Sequence, residues 1–104
     1  MFAVIFSAVL NPEANEEDYG NTIQRMRHLA EQLDGFISMQ SVCEGESEIT
    51  ISYWKSLDAI REWKANPEHQ IAQAKGRKRW YKNYKVEVVE VTRSYSFTAT
   101  NHAT

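Results

Sequence analysis

The segment of residues 67–81 combines side chains that could do chemistry with side chains that could shape a pocket. His69, Gln73, Gly76 and Trp80 are spaced four, three and four residues apart, so a helix places them on one side. An imidazole can accept a proton near neutral pH, an amide can orient a polar group, and an indole can form the wall of an aromatic pocket. A glycine inside a helix costs roughly 1 kcal/mol relative to alanine, which indicates the close approach of a strand or of a ligand.

Two interpretations of this segment fit the sequence. In the first, the helix packs tightly on a sheet, and His69 is solvated or caps the helix. In the second, the segment lines a pocket. The cations Lys75, Arg77, Lys78 and Arg79 point in several directions around a helix, which favours a solvated face over a site for an anionic group.

The composition predicts one small domain. The chain has 104 residues, of which 42% are hydrophobic, enough for a single modest core. The 12 basic and 14 acidic residues are scattered and leave a net charge of −2, so nucleic acid is not expected as a partner. We expect the domain to span residues 1–97 and a polar tail to span residues 98–104.

Several classes of site are absent from the sequence. Cys43 is the single cysteine, which excludes an intrachain disulfide and a cysteine-based zinc site and favours a reducing, cytoplasmic location. No apolar stretch approaches the roughly 20 residues of a membrane-spanning helix. No nucleophile elbow, phosphate loop, dinucleotide fingerprint or metal-ligand array is present, so no metal is predicted.

Hydrophobic periodicity predicts the elements that position the residues above. A helix is indicated by the stripe from Tyr19 to Leu33, and Gly35 could end it in a left-handed conformation. Ser56 and Asn66 are expected to cap two later helices. The predicted bounds are strands Phe2–Leu10, Phe36–Cys43, Glu48–Lys55 and Lys85–Phe97, and helices Leu57–Ala65 and Pro67 to about Lys82.

This β-α-β-β-α-β order predicts an α+β, ferredoxin-like fold with a four-stranded antiparallel sheet and its helices on one face. The first strand is apolar on both faces, so we expect a homodimer that covers the second face. The alternation of the last strand is interrupted at Val88-Val89, which indicates a bulge or a strand that leaves its own sheet for a partner's.

The chain resembles the antibiotic biosynthesis monooxygenase family along nearly its whole length. The resemblance is carried by the order of elements and by three stretches, Ser52-Tyr53-Trp54-Lys55-Ser56, Ala59-Ile60-Arg61-Glu62-Trp63 and Pro67-Glu68-His69. It implies a dimeric α+β barrel in which two sheets pack face to face. Members include cofactor-independent oxygenases of anthrones, haem-degrading enzymes, quinol monooxygenases and isomerases, so the fold alone does not fix a reaction.

Two departures from the family patterns bear on function. In the anthrone oxygenases an asparagine precedes the tryptophan that matches Trp54 by four residues, and Thr50 stands there in this chain. In the haem-degrading branch the haem-ligating histidine follows the tryptophan that matches Trp63 by ten residues, and Gln73 stands there. The resemblance therefore disfavours haem, unless His69 replaces the missing ligand.

The leading prediction is a small-molecule monooxygenase that acts on an aromatic or quinol-like substrate without metal or flavin. His69 is the expected proton acceptor and Arg77 the expected partner of a developing anion, and Trp54, Trp63, Gln73 and Trp80 are expected to bind the substrate. The alternatives are a haem-binding or haem-degrading protein that uses His69, and a non-catalytic dimeric binding or stress-response module.

Overall fold

The computed structural model describes residues 1–13 and 16–100 and has the predicted ferredoxin-like α+β architecture. Its four antiparallel strands lie in the order β2-β3-β1-β4. The elements are β1 (Phe2–Leu10), α1 (Glu16–Glu31), β2 (Phe36–Glu44), β3 (Ser47–Trp54), α2 (Leu57–Lys64), α3 (Pro67–Lys75), a π-helical turn (Gly76–Trp80) and β4 (Tyr81–Glu90).

The central strand β1 pairs with β3 on one side and with β4 on the other. Each even-numbered residue of β1 from Phe2 to Ala8 therefore lies in a row with one residue of each neighbour. At one end of the sheet Phe2 lies between Trp54 and Glu90, and towards the other end Ala8 lies between Glu48 and Tyr84. The helices cover the face of the sheet that carries these rows, because Trp54 packs in the core with residues of α1 and α2.

Strand β3 distributes its side chains in an unusual way. Glu48, Thr50 and Ser52 face the helices, whereas Ile49 and Ile51 lie on the opposite face. A sheet with one covered face normally places apolar residues inside and polar residues outside. Here the covered side of β3 is largely polar, and Ile49 remains 44% exposed on the uncovered side.

The apolar core fills only one end of the space between sheet and helices. Trp54 is fully buried there and packs with Ala30, Ala59, Ile60 and Trp63. Its indole stacks against Trp63 with a centroid distance of 6.2 Å. The rows near the opposite end of the sheet are not filled in this way, and a cavity remains.

The two predicted helix caps are present. The Ser56 hydroxyl accepts a hydrogen bond of 3.1 Å from the backbone N–H of Ala59 at the start of α2. The Asn66 side chain accepts one of 3.1 Å from the backbone N–H of His69 at the start of α3. Because α3 begins directly after α2, these caps place His69 next to the end of α2.

The prediction was wrong about how the last helix ends. We expected the helix to continue to about Lys82, but α3 ends at Lys75 and the chain widens into the π-helical turn, whose last residue is Trp80. The N–H of Tyr81 donates to the carbonyl oxygen of Gly76, five residues earlier. Gly35 also differs from the prediction, because the positive φ belongs to Gly45 in the hairpin, at 59°. A Cβ on Gly35 would clash with the Cβ of Ala59.

The predicted bounds of the last strand were also wrong. The strand begins at Tyr81 instead of Lys85 and ends at Glu90 instead of Phe97. Val88 and Val89 pair regularly with β1, and the irregularity lies between Val9 and Leu10. The two valines alternate normally, with Val88 on the face that the helices cover and Val89 on the opposite face. Residues 98–100 of the predicted tail are described and residues 101–104 lie outside the described part.

Among the described residues no helix is both long enough and apolar enough to cross a membrane.

Candidate functional site

A cavity of about 410 Å³ lies between the sheet and the helices. Its volume lies in the range that small-molecule sites occupy. Much of the wall is apolar and comes from β1, β4 and α1, through Val4, Phe6, Val86, Val88, Ile23 and Met26.

One end of the cavity carries the imidazole of His69. The ring stacks on the indole of Trp63, with a centroid distance of 4.1 Å and an interplanar angle of 14°. Its Nδ1 lies 3.1 Å from the backbone carbonyl oxygen of Trp63. A carbonyl oxygen can only accept, so Nδ1 carries the proton of the neutral ring and Nε2 has the free lone pair.

The surroundings of His69 keep this imidazole neutral. Burial lowers the pKa of His69 below its usual value, and the nearby positive charge of Lys64 lowers it further. The hydrogen bond to the Trp63 carbonyl acts in the opposite direction but does not cancel these effects. At neutral pH the cavity therefore contains an uncharged imidazole whose Nε2 can accept a proton.

The opposite end of the cavity carries a carboxylate, that of Glu48, which is only 4% exposed. Glu48 and Trp54 are six residues apart along β3, about 20 Å. The hydroxyl of Tyr19 donates to Oε2 of Glu48, and the hydroxyls of Tyr19 and Tyr81 lie 2.9 Å apart. The hydroxyl of Thr50 donates to Oε1 over a longer distance of 3.4 Å.

The two phenols beside Glu48 stay protonated. Burial raises the pKa of Tyr81 to about 12. Burial, together with the hydrogen bond to Glu48, raises the pKa of Tyr19 well above its usual range. The phenols therefore act as neutral hydrogen-bonding groups, and the carboxylate of Glu48 is the negative group at this end of the cavity.

Gly76 allows the phenol of Tyr81 to reach this position. A Cβ at Gly76 would lie 2.6 Å from Cε2 of Tyr81, closer than any side chain could tolerate. The ring of Tyr81 is itself held between neighbours, since it packs edge-on against Phe6 and Tyr19 at 5.3 and 5.8 Å. The close approach that the mid-helix glycine predicted is therefore that of an aromatic ring in the cavity wall.

Five of the six predicted site residues line this one cavity. They are His69, Arg77, Trp63, Gln73 and Trp80. The guanidinium Nη1 of Arg77 lies 3.4 Å from the hydroxyl of Tyr84, which also lines the cavity. The roles predicted for these five residues stay predictions.

Trp54 lies outside the cavity, and its prediction as a substrate-binding residue needs correction. The side chain is fully buried in the core, and its indole N–H donates to the hydroxyl of Ser52 at 2.9 Å. It supports the cavity indirectly, because Trp63 stacks on it and His69 stacks on Trp63.

Glu48, Tyr19 and Tyr81 were missed as site residues. The available signal was the run of polar residues at every second position of β3, from Glu48 to Ser52. This pattern usually indicates a solvent-facing side, so it did not distinguish Glu48 from a surface carboxylate. Thr50, where the resemblance leads us to expect an asparagine, lines the cavity and makes a hydrogen bond of 2.7 Å with the hydroxyl of Ser41.

The described residues contain no group of three or more histidine, cysteine, aspartate or glutamate side chains that could hold a metal ion.

A comparison with protein families identifies the class of protein. The family model "Antibiotic biosynthesis monooxygenase" matches residues 1–75. The chain belongs to this family.

Two relatives are similar to nearly the whole of this chain. The chain is 45% identical over 97 residues to the uncharacterized protein YqjZ of Bacillus subtilis, covering 92% of this chain and 83% of that protein. It is 31% identical over 98 residues to the jasmonate monooxygenase ABM of Pyricularia oryzae. That match covers 90% of this chain but only 45% of the fungal protein.

Solved structures confirm the fold. Rv0793 of Mycobacterium tuberculosis superposes with a TM-score of 0.80 at 18% identity, covering 91% of this chain and 98% of that chain. SnoaB, a cofactor-independent oxygenase from Streptomyces nogalater, superposes with a TM-score of 0.75 at 14% identity, covering 89% of this chain and 94% of that chain.

Proposed function

We propose that the protein is a small-molecule monooxygenase that acts on an aromatic or quinol-like substrate without metal or flavin. The observation that carries this proposal is the neutral imidazole of His69 in a largely apolar, aromatic cavity. The fungal relative is a jasmonate monooxygenase and SnoaB is a cofactor-independent oxygenase, which supports oxygenation as the type of reaction.

The chemistry requires little from the protein beyond a base and a dry, shaped site. Nε2 of His69 takes a proton from an acidic C–H or O–H of the substrate, which leaves an electron-rich anion. The anion gives an electron to O₂, and the two radicals join through a new C–O bond. For a CH₂ group, breaking the O–O bond then yields a carbonyl and one water, so the four-electron oxidation of carbon matches the four-electron reduction of O₂.

The remaining residues of the cavity have roles that fit this scheme. The positive charge of Arg77 stabilises the substrate anion as it forms. Trp63 and Trp80 hold the flat substrate, and the amide of Gln73 orients a polar substituent. The apolar part of the wall, including Val4, Phe6 and Met26, gives an aromatic substrate a surface to pack on.

Oxygen uptake tests the proposal directly. We expect purified protein to accelerate O₂ consumption with at least one member of a panel of anthrones and quinols, and to yield the carbonyl or hydroxylated product by mass spectrometry. The control is the same panel with heat-denatured protein. Rates that match this control for every compound would contradict the proposed function.

Haem binding by His69 is the second candidate, and one observation favours it. A histidine whose Nδ1 is bonded to a backbone carbonyl presents Nε2 in the way that metal-ligating histidines do. A haemin titration separates the candidates, since the absence of a shifted Soret band excludes haem ligation. The cavity that reaches His69 counts against the third alternative, a non-catalytic dimeric binding or stress-response module.

We also propose that the protein is a homodimer that buries the uncovered face of its sheet. Three apolar side chains of this face, Val42, Ile49 and Val89, are 56%, 44% and 38% exposed, and Tyr95 and Phe97 beyond β4 are 85% and 89% exposed. Such apolar exposure favours cover by a partner. We expect sedimentation equilibrium to give twice the chain mass of 12.1 kDa, and a monomer at micromolar concentration would contradict this proposal.

A further inference from the structure

The hydrogen bonds around Glu48 all point towards its carboxylate. Tyr19 uses its single hydroxyl proton to donate to Oε2. In its contact with Tyr81, 2.9 Å away, Tyr19 must therefore accept, and Tyr81 must donate. On the other side the hydroxyl of Thr50 lies 3.4 Å from Oε1 and shares a hydrogen bond of 2.7 Å with Ser41, in which either hydroxyl can donate.

Glu48 is thus the final acceptor of the tyrosine chain, and its two oxygens are not equally satisfied. Oε2 is held by the close hydroxyl of Tyr19, whereas Oε1 has the Thr50 hydroxyl at 3.4 Å, near the limit of a hydrogen bond. A carboxylate oxygen has room for more than one donor. The side chain of Glu48 is buried and lines the cavity. A ligand in the cavity can therefore donate a hydrogen bond to Oε1 in place of water.

We infer that Oε1 of Glu48 binds a hydroxyl group of the ligand and so selects ligands with a hydrogen-bond donor at the end of the cavity away from His69. The inference rests on the proposed function, because the ligand it describes is the proposed substrate. A phenolic or quinol hydroxyl donates to the carboxylate in a charge-assisted bond. A ligand with an ether or a carboxylate at the same place leaves Oε1 without a donor, and a carboxylate is also repelled.

A pair of unreactive probes isolates this interaction. The probes are 2-naphthol and 2-methoxynaphthalene, which differ only in the methyl group that removes the donor. The extra methyl favours the ether if apolar burial alone decides affinity. We expect equilibrium dialysis at pH 7 to show that wild-type protein binds 2-naphthol about tenfold or more tightly than the ether.

Three variants assign the preference to Glu48. Glu48→Gln is expected to reduce the preference to less than about twofold, because the Tyr19 hydroxyl holds the remaining amide oxygen and the amide nitrogen, a donor, takes the place of Oε1. Glu44→Gln makes the same charge change on an exposed residue at the end of β2 and should keep the full preference. Glu87→Gln makes the same charge change on an exposed residue of β4 that faces away from the cavity and should also keep the full preference.

Several outcomes would overturn the inference. These are equal affinity of wild-type protein for the two probes, a dissociation constant for 2-naphthol weaker than about 1 mM, and a full preference in folded Glu48→Gln. Should Glu48→Gln fail to fold, His69→Phe decides the matter, because it removes the free acceptor Nε2 at the other end of the cavity, and a loss of the preference would assign it to His69 instead of Glu48. Because dialysis requires no reaction with O₂, a protein that passes this test but consumes no oxygen fails as a monooxygenase while the inference stands.

Discussion

Replacing His69 with alanine is expected to lower the rate of oxygen uptake by about 10²- to 10⁴-fold, the usual contribution of a general base. The expectation follows from the geometry, because Nδ1 is engaged by the Trp63 carbonyl and Nε2 is the free base of the ring. The rate is measured with whichever anthrone or quinol wild-type protein oxidises. Since alanine also removes the ring that stacks on Trp63, a second variant, His69→Phe, keeps an aromatic ring there and should be equally slow.

The pH dependence of the rate gives an independent check. A base works in its neutral form, and the pKa of His69 is lowered from its usual value by burial. The rate with wild-type protein should therefore stay constant as the pH falls through 6.5, the ordinary value for histidine, and decline only below it. His28→Ala, on the exposed surface of α1, is the matched control and should not change the profile. Undiminished activity in His69→Phe would refute the assignment.

Replacing Trp54 with alanine is expected to lower the free energy of unfolding by about 3–5 kcal/mol, as for other fully buried large aromatic residues. Trp54 has no exposed surface and packs against Trp63 and Phe36. Small domains are stable by only about 5–15 kcal/mol, so the variant will be close to unfolding. The measurement is urea unfolding at one protein concentration, because association would shift the midpoint.

The control for Trp54→Ala is Ile71→Ala on α3. Ile71 is 60% exposed, so its replacement should change the free energy of unfolding by no more than about 0.5 kcal/mol. A loss below about 1 kcal/mol for Trp54→Ala would show that the core does not depend on this residue. It would also revive the prediction that Trp54 serves a ligand.

The order of strands and helices could be predicted because local signals agreed with each other. The proline after β1, the hairpin glycine Gly45 and the caps Ser56 and Asn66 each mark a boundary that the structure has. The end of the last helix could not be predicted in this way. The first four residues of β4, Tyr81-Lys82-Asn83-Tyr84, show no strand-like alternation and no β-branched residue, and a π-helical turn has no local signature that separates it from an α-helix.

The site was predictable only where helical spacing brings residues together. His69, Gln73 and Trp80 lie on one helical segment. Their spacing alone predicts that they line the same side of the cavity. Glu48 and Tyr19 meet through contacts between distant parts of the chain, which no periodicity reveals. Trp54 was predicted to bind the substrate because a tryptophan at a strand end fits a core and a cleft equally well. Only the pairing of the strands shows that its side chain lies in the core.

The reversed polarity of β3 has a consequence for how the chain finds its fold. Sliding β3 by one residue along β1 would turn Ile49, Ile51 and Tyr53 under the helices and turn Glu48, Thr50 and Ser52 to solvent. For an isolated chain, burial of apolar surface favours that wrong alignment. The tight hairpin and the buried indole of Trp54 oppose the shifted alignment. A second copy over the outer face would bury the apolar side chains there, so the shifted alignment would no longer bury more apolar surface than the correct one. Self-association would then help to select the correct strand alignment, and with it the polar lining of the cavity.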